Sequence, residues 1–257
     1  QPKFKAYFIP NCFKPRNVSR YGTKNEVRSM RKFFPFIFLI LIGCTNSGKE
    51  KWDDYLDGWS PLMIFIYNDE TEEFTELLKE NVDVNFVSES KYSHWHLTAI
   101  EVAIFKENDF AVKKILSTGK VSHPEKFLML ACEGENVNIV SLLIKYGANP
   151  NETLDNGHTV TMSASSFGST KVLECLLKNG ANPNKTRFID GMSALMFATM
   201  NAEPEKVKLL LNYGAKKETK DLNGKTALDY VDDLENNSEI SRQNIDGLRE
   251  LLKTKTK

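Results

Sequence analysis

The 257-residue chain is expected to fold as an all-α repeat, an α-solenoid of about six stacked helix-turn-helix units. Three series of residues with one common period predict it. Glycines that close Leu-rich segments stand at Gly147, Gly180 and Gly214, 33 and 34 residues apart. A second set, Gly157, Gly191 and Gly224, is spaced by 34 and 33. The small residue Ala131 recurs as Ala164 and Ala198, again at 33 and 34. A long period shared by residues with different roles marks a repeated supersecondary unit, not one helix or strand.

Each unit is readable in turn. Its inner helix is predicted to start at Ser60, Thr98, Lys126, Thr159, Ser193 and Thr226, with spacings of 38, 28, 33, 34 and 33. The first two sum to 66, so the second unit carries about five extra residues before its helix and the third has a shortened turn. A Ser or Thr at a helix start accepts hydrogen bonds from backbone N–H groups that have no partner inside the helix. Apolar pairs such as Val172-Leu173 and Leu176-Leu177 place one face of the outer helix inward. Gly147, Gly180 and Gly214 fall just past helix ends, where a left-handed residue closes the turn. Asn81 fills that slot in the first unit. Asn-Pro-Asn at 149–151 and 182–184 predicts a turn into a hairpin. The last unit, 219–257, is interrupted at Asp232–Ser238 and reads as a stretched C-terminal cap.

These residues resemble the ankyrin repeat. Its turn and inner-helix start are matched by Asp57-Gly58-Trp59-Ser60-Pro61-Leu62, Asp190-Gly191-Met192-Ser193-Ala194-Leu195 and Asn223-Gly224-Lys225-Thr226-Ala227-Leu228. The Leu-Leu-x-x-Gly-Ala end is matched at Leu176-Leu177-Lys178-Asn179-Gly180-Ala181 and Leu210-Leu211-Asn212-Tyr213-Gly214-Ala215. The resemblance implies β-hairpin fingers between units, over residues 53–257. One family feature is missing: the His after the helix start is replaced by Met63, Glu101, Met129, Met162, Met196 and Asp229. Four methionines there are expected to pack between layers as an apolar substitute.

The segment before the repeats reads as an address. Arg31-Lys32 precede about ten apolar residues, Phe33 to Ile42, and Gly43-Cys44 follow, over the span 30–43 of a secretory signal peptide. A membrane-spanning helix needs about 20 apolar residues. Leu41-Ile42-Gly43-Cys44 resembles a bacterial lipobox, which implies cleavage before Cys44 and a lipid on its sulfur. A buried strand or an uncleaved apolar anchor is the alternative. Residues 44–52 then form the lipidated Cys and a polar tether. Residues 1–29 lie upstream of Met30 and are expected to be an extension outside the native protein or an unusually long basic leader. Thr45, where an Asp resembles an inner-membrane retention signal, points to the outer membrane of a bacterial envelope.

Charge narrows the function. Residues 1–43 hold nine Lys/Arg and one Glu, so 44–257 hold 25 basic and 33 acidic residues, net −8. That argues against nucleic acid, which needs clustered positive charge. The acidity fits a basic partner or is simply a solvated surface. Cys12, Cys44, Cys132 and Cys175 show no zinc spacing, and Cys132 and Cys175 read as small buried helix residues. Neither a GxSxG, an HExxH nor a phosphate loop is present, so neither catalysis, a cofactor nor a small-molecule substrate is expected.

The resemblance implies a scaffold that binds another protein through finger tips and inner helices. Residues that map there are Asp155, Asn156 and His158; Arg187, Phe188 and Asp190; and Asp221 and Asn223. The enlarged finger before the second helix pair adds Tyr92, His94, Trp95 and His96, with Trp95 and Tyr92 as the first aromatic anchors. These rings serve the partner or pack back to stiffen the finger. His94 and His96 could offer two imidazoles to a metal, but no Cys or carboxylate stands at ligand spacing. The expected role is a membrane-anchored interaction scaffold at the envelope. The alternative is an inhibitor or immunity-type protein that masks an enzyme or toxin.

Overall fold

Helices of 7 to 12 residues, as found here, are marginal alone in water and persist only by stacking. The computed structural model describes residues 58–88, 96–235 and 240–253. Among them are twelve α-helices: α1 Pro61–Tyr67, α2 Thr71–Leu77, α3 Ala99–Phe105, α4 Asp109–Ser117, α5 Glu125–Cys132, α6 Val137–Lys145, α7 Val160–Ser166, α8 Thr170–Lys178, α9 Ala194–Met200, α10 Pro204–Asn212, α11 Ala227–Leu234 and α12 Arg242–Lys253. They form six pairs. The odd-numbered helices pack in order as an inner layer, and α4 to α12 pack in order as an outer layer. One apolar core runs between the layers through Met63, Leu128, Met162, Leu173, Met196 and Leu248. The all-α solenoid is what the period predicts.

Inner-helix starts follow the sequence with one exception. Ser60, Thr98, Thr159, Ser193 and Thr226 each accept the backbone N–H three residues on. In the third pair the helix begins earlier, at Glu125 after Pro124, and Lys126 sits inside its first turn with no side-chain cap. The shortened connection there turns through His123 at φ 56°. Pro61 and Pro204 open α1 and α10, where proline's fixed φ suits the first turn and its missing N–H costs nothing.

The residues at the missing-His position do more than pack. Glu101 and Asp229 complete capping boxes, accepting the N–H of Thr98 at 2.7 Å and of Thr226 at 2.6 Å. In α7 and α9 the same position is methionine. The Met162 Sδ lies 3.5 Å from the Thr159 N–H, and the Met196 Sδ lies 3.4 Å from that of Ser193. A thioether is a weak acceptor, yet it fills the core and answers an otherwise orphaned donor with one side chain. Packing alone, as expected from the sequence, is half of the role.

Other details depart from expectation. Asn81 is not left-handed. The amides of Lys79 and Glu80 close tight turns onto the Glu76 and Leu77 carbonyls, so α2 ends without a left-handed residue. The β-hairpin fingers shrink to single antiparallel bridges, Thr153 with Thr159 and Thr186 with Ser193, and no strand forms among the described residues. Cys132 is buried, but Cys175 is only half-buried. Lys206 is buried and donates to the Ser165 carbonyl at 3.2 Å, tying α10 to α7. In the last unit α11 continues to Leu234, and Arg249 of α12 reaches back to Asp232 at 3.0 Å and to Glu235.

Candidate functional site

Three consecutive finger tips build one edge of the stack. In finger 4 the Leu154 amide donates to the His158 carbonyl, the Gly157 amide to Leu154, and the Asn156 Oδ1 accepts the His158 N–H at 2.9 Å. In finger 5 the Arg187 amide donates to Met192 and the Gly191 amide to Arg187, while Asp190 accepts the Met192 N–H. In finger 6 the Asp221 amide donates to Lys225 and the Gly224 amide to Asp221. The tips then bond to one another. Phe188 N–H donates to the Asn156 carbonyl at 2.9 Å, and Leu222 N–H donates to the Asp190 carbonyl at 2.8 Å. Gly157 permits the first contact: a Cβ there would stand 3.0 Å from the Phe188 ring and backbone. It has φ 81° as well, a region that a side chain disfavours.

Behind the tips lies a polar cluster joining the fourth and fifth units. Arg187 forks onto Asp190 through Nε, at 3.1 Å, and through Nη2, and its guanidinium lies 4.9 Å from the centre of the Phe197 ring. His158 meets the same ring edge-on at 5.7 Å. Its Nε2 lies 3.0 Å from the Ser163 hydroxyl, which donates to the Met129 Sδ at 3.0 Å. The other ring nitrogen, Nδ1, is buried without a hydrogen-bond partner. Burial, reinforced by the Arg187 charge, pushes the imidazole down to about 4, so the ring is neutral at pH 7. Burial raises the Asp190 carboxyl, but its bonds from Arg187 and the Met192 amide outweigh that and leave it below the ordinary range.

Asp221 faces inward. It is 6% exposed, and its carboxylate accepts the Tyr230 hydroxyl at 2.7 Å, the Lys225 amide at 2.7 Å and the Asn223 amide at 2.9 Å. The Tyr230 bond leads in holding its carboxyl below the ordinary range. Burial, and then the same bond, push the phenol up to about 12. Asp221 is thus the buried brace of finger 6, and its placement differs from that of an exposed contact residue.

The predicted residues therefore divide. Asp155, Phe188 and Asn223 are exposed. Asn156, His158, Arg187 and Asp190 are partly buried and spend their polar atoms inside the stack. His96 is exposed, and its Nδ1 lies 3.0 Å from the Ser88 carbonyl. Tyr92, His94, Trp95 and Cys44 lie outside the described residues.

Sequence reasoning named Phe188 but missed the rest of the apolar part of this edge. Leu154 is 51% exposed, Phe188 73%, Ile189 59% and Leu222 72%, all on the three joined tips. A signal was present: Leu154 and Phe188 each stand three residues before the finger glycine, inside otherwise polar turns. Contiguous exposed apolar groups mark contact surfaces, whereas single ones need no explanation. Among the described residues, no three His, Cys, Asp or Glu side chains gather as metal ligands, and no helix is long and apolar enough to cross a membrane.

Comparison with known proteins supports the fold. The family model for ankyrin repeats, in three copies, matches residues 101–187. A crystal structure of an ankyrin repeat domain from Acinetobacter baumannii AYE is similar, with a TM-score of 0.59 and 20% identity over 75% of this chain and 95% of that one. No curated protein matches the chain. Six stacked helix pairs joined by turn-built fingers, with three repeats matched by the family model, give this chain the ankyrin-repeat fold.

Proposed function

We propose that the chain is a protein-binding scaffold held at a bacterial envelope by a lipid on Cys44, and that it engages its partner through the tips of fingers 4 to 6. The row of exposed Leu154, Phe188, Ile189 and Leu222 carries the reading. Fixing such side chains on a rigid stack lowers the ordering cost of binding, and exposing them to water supplies the drive for a partner to cover them. The anchor rests on the charged, apolar and Gly43-Cys44 sequence of the leader.

Affinity capture tests the binding half. The full chain and its Leu222→Ser variant are used to retain envelope proteins of the source cells. One stoichiometric partner, retained by the first and lost by the second, is the expected result. A partner held equally by both would remove the finger tips from the site. For the anchor, a labelled fatty acid should appear on the chain in cells and vanish with Cys44→Ala; label that persists in the variant would refute it.

A further inference from the structure

The carbonyl just before the finger glycine does the same job in two fingers. In finger 4 it belongs to Asn156 and accepts the Phe188 N–H; in finger 5 it belongs to Asp190 and accepts the Leu222 N–H. In both places the next finger's backbone also crosses the glycine. A Cβ on Gly157 would stand 3.0 Å from the Phe188 nitrogen, and one on Gly191 would stand 2.9 Å from the Leu222 nitrogen. Finger 6 has the same shape with its glycine uncovered. Gly224 has φ 79°, beside 81° and 75° at Gly157 and Gly191, and a Cβ there would meet no atom within 4 Å. Gly157 is buried and Gly191 half-buried, whereas Gly224 is exposed. The Asn223 carbonyl before it accepts no hydrogen bond among the described residues. This tip is also fixed in advance. The Asp221 carboxylate accepts the Asn223 and Lys225 amides at 2.9 and 2.7 Å, and the Gly224 amide closes the turn onto the Asp221 carbonyl at 3.0 Å. An acceptor held rigid loses little freedom when a donor reaches it.

On the reading that these tips bind a protein, we propose that the partner supplies the next rung: an extended segment that donates one backbone N–H to the Asn223 carbonyl, passes over Gly224 and lays an apolar side chain beside Leu222. The two filled rungs are its templates, and the residue that makes each of them is apolar, Phe188 in one and Leu222 in the other. The segment thus continues a contact that the fingers already make among themselves. Leu222 is 72% exposed, so covering it adds to the single bond. Addition of an extended chain to an open edge is a general mode of peptide recognition, in which main-chain bonds hold the segment and side chains select it.

The experiment selects random displayed peptides of about ten residues on the immobilised full chain and measures the best one by fluorescence anisotropy. Gly224→Ala should weaken its binding by about tenfold or more, because the new Cβ stands where the segment's backbone must pass. Gly214→Ala is the control. Gly214 has φ 81° and open space as well, so its alanine carries the same backbone strain, but it closes α10 and not the tip. That variant should bind as the unaltered chain does. An ester in place of one peptide amide removes a single N–H with little change of shape, and one position of an ester scan should lose about fivefold or more. No enriched peptide, undiminished binding to Gly224→Ala, an equal loss in Gly214→Ala, or an ester scan without a sensitive position would each overturn the proposal. So would self-association abolished by Gly224→Ala, which would assign the rung to a second copy, or an environment-sensitive dye at Leu222→Cys that turns blue on reconstitution into phosphatidylcholine vesicles, which would assign the tip to a bilayer. A cellular partner lost in Leu222→Ser but captured undiminished by Gly224→Ala would leave the scaffold standing and remove only this rung.

Discussion

The side-chain amide of Asn151 clasps Asn182 of the next unit: its Oδ1 accepts the Asn182 backbone N–H at 2.8 Å, while its Nδ2 donates to the Gly180 carbonyl at 2.9 Å. One planar amide thus answers a donor and an acceptor left open where α8 ends. Asn184 does the same one unit later, with the Lys216 N–H at 2.8 Å and the Gly214 carbonyl at 2.9 Å. Asn85 does it earlier, with the Ser122 N–H at 3.1 Å and the Lys120 carbonyl at 2.8 Å.

Asn151→Ala and Asn184→Ala should each destabilise the fold by about 1–2 kcal/mol, since two modest hydrogen bonds go and the partners can still reach water. Asn151→Asp should recover little, because a carboxylate keeps the acceptor but faces the Gly180 carbonyl. Urea unfolding measures all three, and an Asn151→Asp variant as stable as the original would show that the Nδ2 bond contributes nothing.

Two glycines should respond differently to alanine. Gly147 has φ 101° and open space where a Cβ would stand, so Gly147→Ala costs backbone strain alone, about 1–2 kcal/mol. At Gly168 a Cβ would lie 2.3 Å from the Cys132 carbonyl oxygen, a backbone atom at the end of α5. Gly168→Ala must push the fourth unit off the third, at a cost of about 3 kcal/mol or more. Equal melting temperatures for the two variants would contradict this.

Met196→Leu tests the sulfur cap. The swap nearly conserves volume, so packing alone predicts a small change. Losing the acceptor leaves the buried Ser193 N–H unanswered and should bring the cost to about 1–2 kcal/mol. Amide exchange at Ser193 should quicken as well. An unaltered exchange rate would mean the thioether only fills space.

His158 sets a pH window. Its folded-state value of about 4 lies below the ordinary 6.5, so the unfolded chain takes up a proton that the folded chain refuses. The neutral ring's contribution is complete above about pH 6.5 and is lost as pH falls towards 4. Discounted for solvent around a partly exposed ring, the loss is about 1–2 kcal/mol. Melting temperatures of the original and of His158→Gln, recorded from pH 7 to 4, should converge on acidification. Parallel curves would place no titration at this ring.

Phe188→Ser and Leu222→Ser should leave stability within about 0.5 kcal/mol, as expected of exposed sites away from caps and core. Thermal unfolding checks this. A large fall in either would show that the side chain is packed and not available to a partner.

How far the sequence reaches differs between the stack and its edge. Periodic glycines, Ser and Thr caps and paired leucines announce six helix pairs, because each acts on its own few residues and the backbone rules they obey are local. The edge is less legible. Asp221 reads as a contact residue, yet Tyr230 of the following helix turns it inward. Leu154, Ile189 and Leu222 read as ordinary apolar residues, although they stand in water.

Sequence by itself determined the repeat, its period, its number and where each inner helix begins, with the third helix start displaced by a short turn. Only the tertiary structure decided that methionine sulfurs cap two helices, that three finger tips join through Phe188–Asn156 and Leu222–Asp190, and that apolar side chains line the result. The physical reason is the range of the interaction. Caps and left-handed turns are settled within about four residues, a span that a linear pattern records. Whether a leucine is buried, or an aspartate enclosed, depends on groups a repeat away, and their positions exist only once the units have stacked.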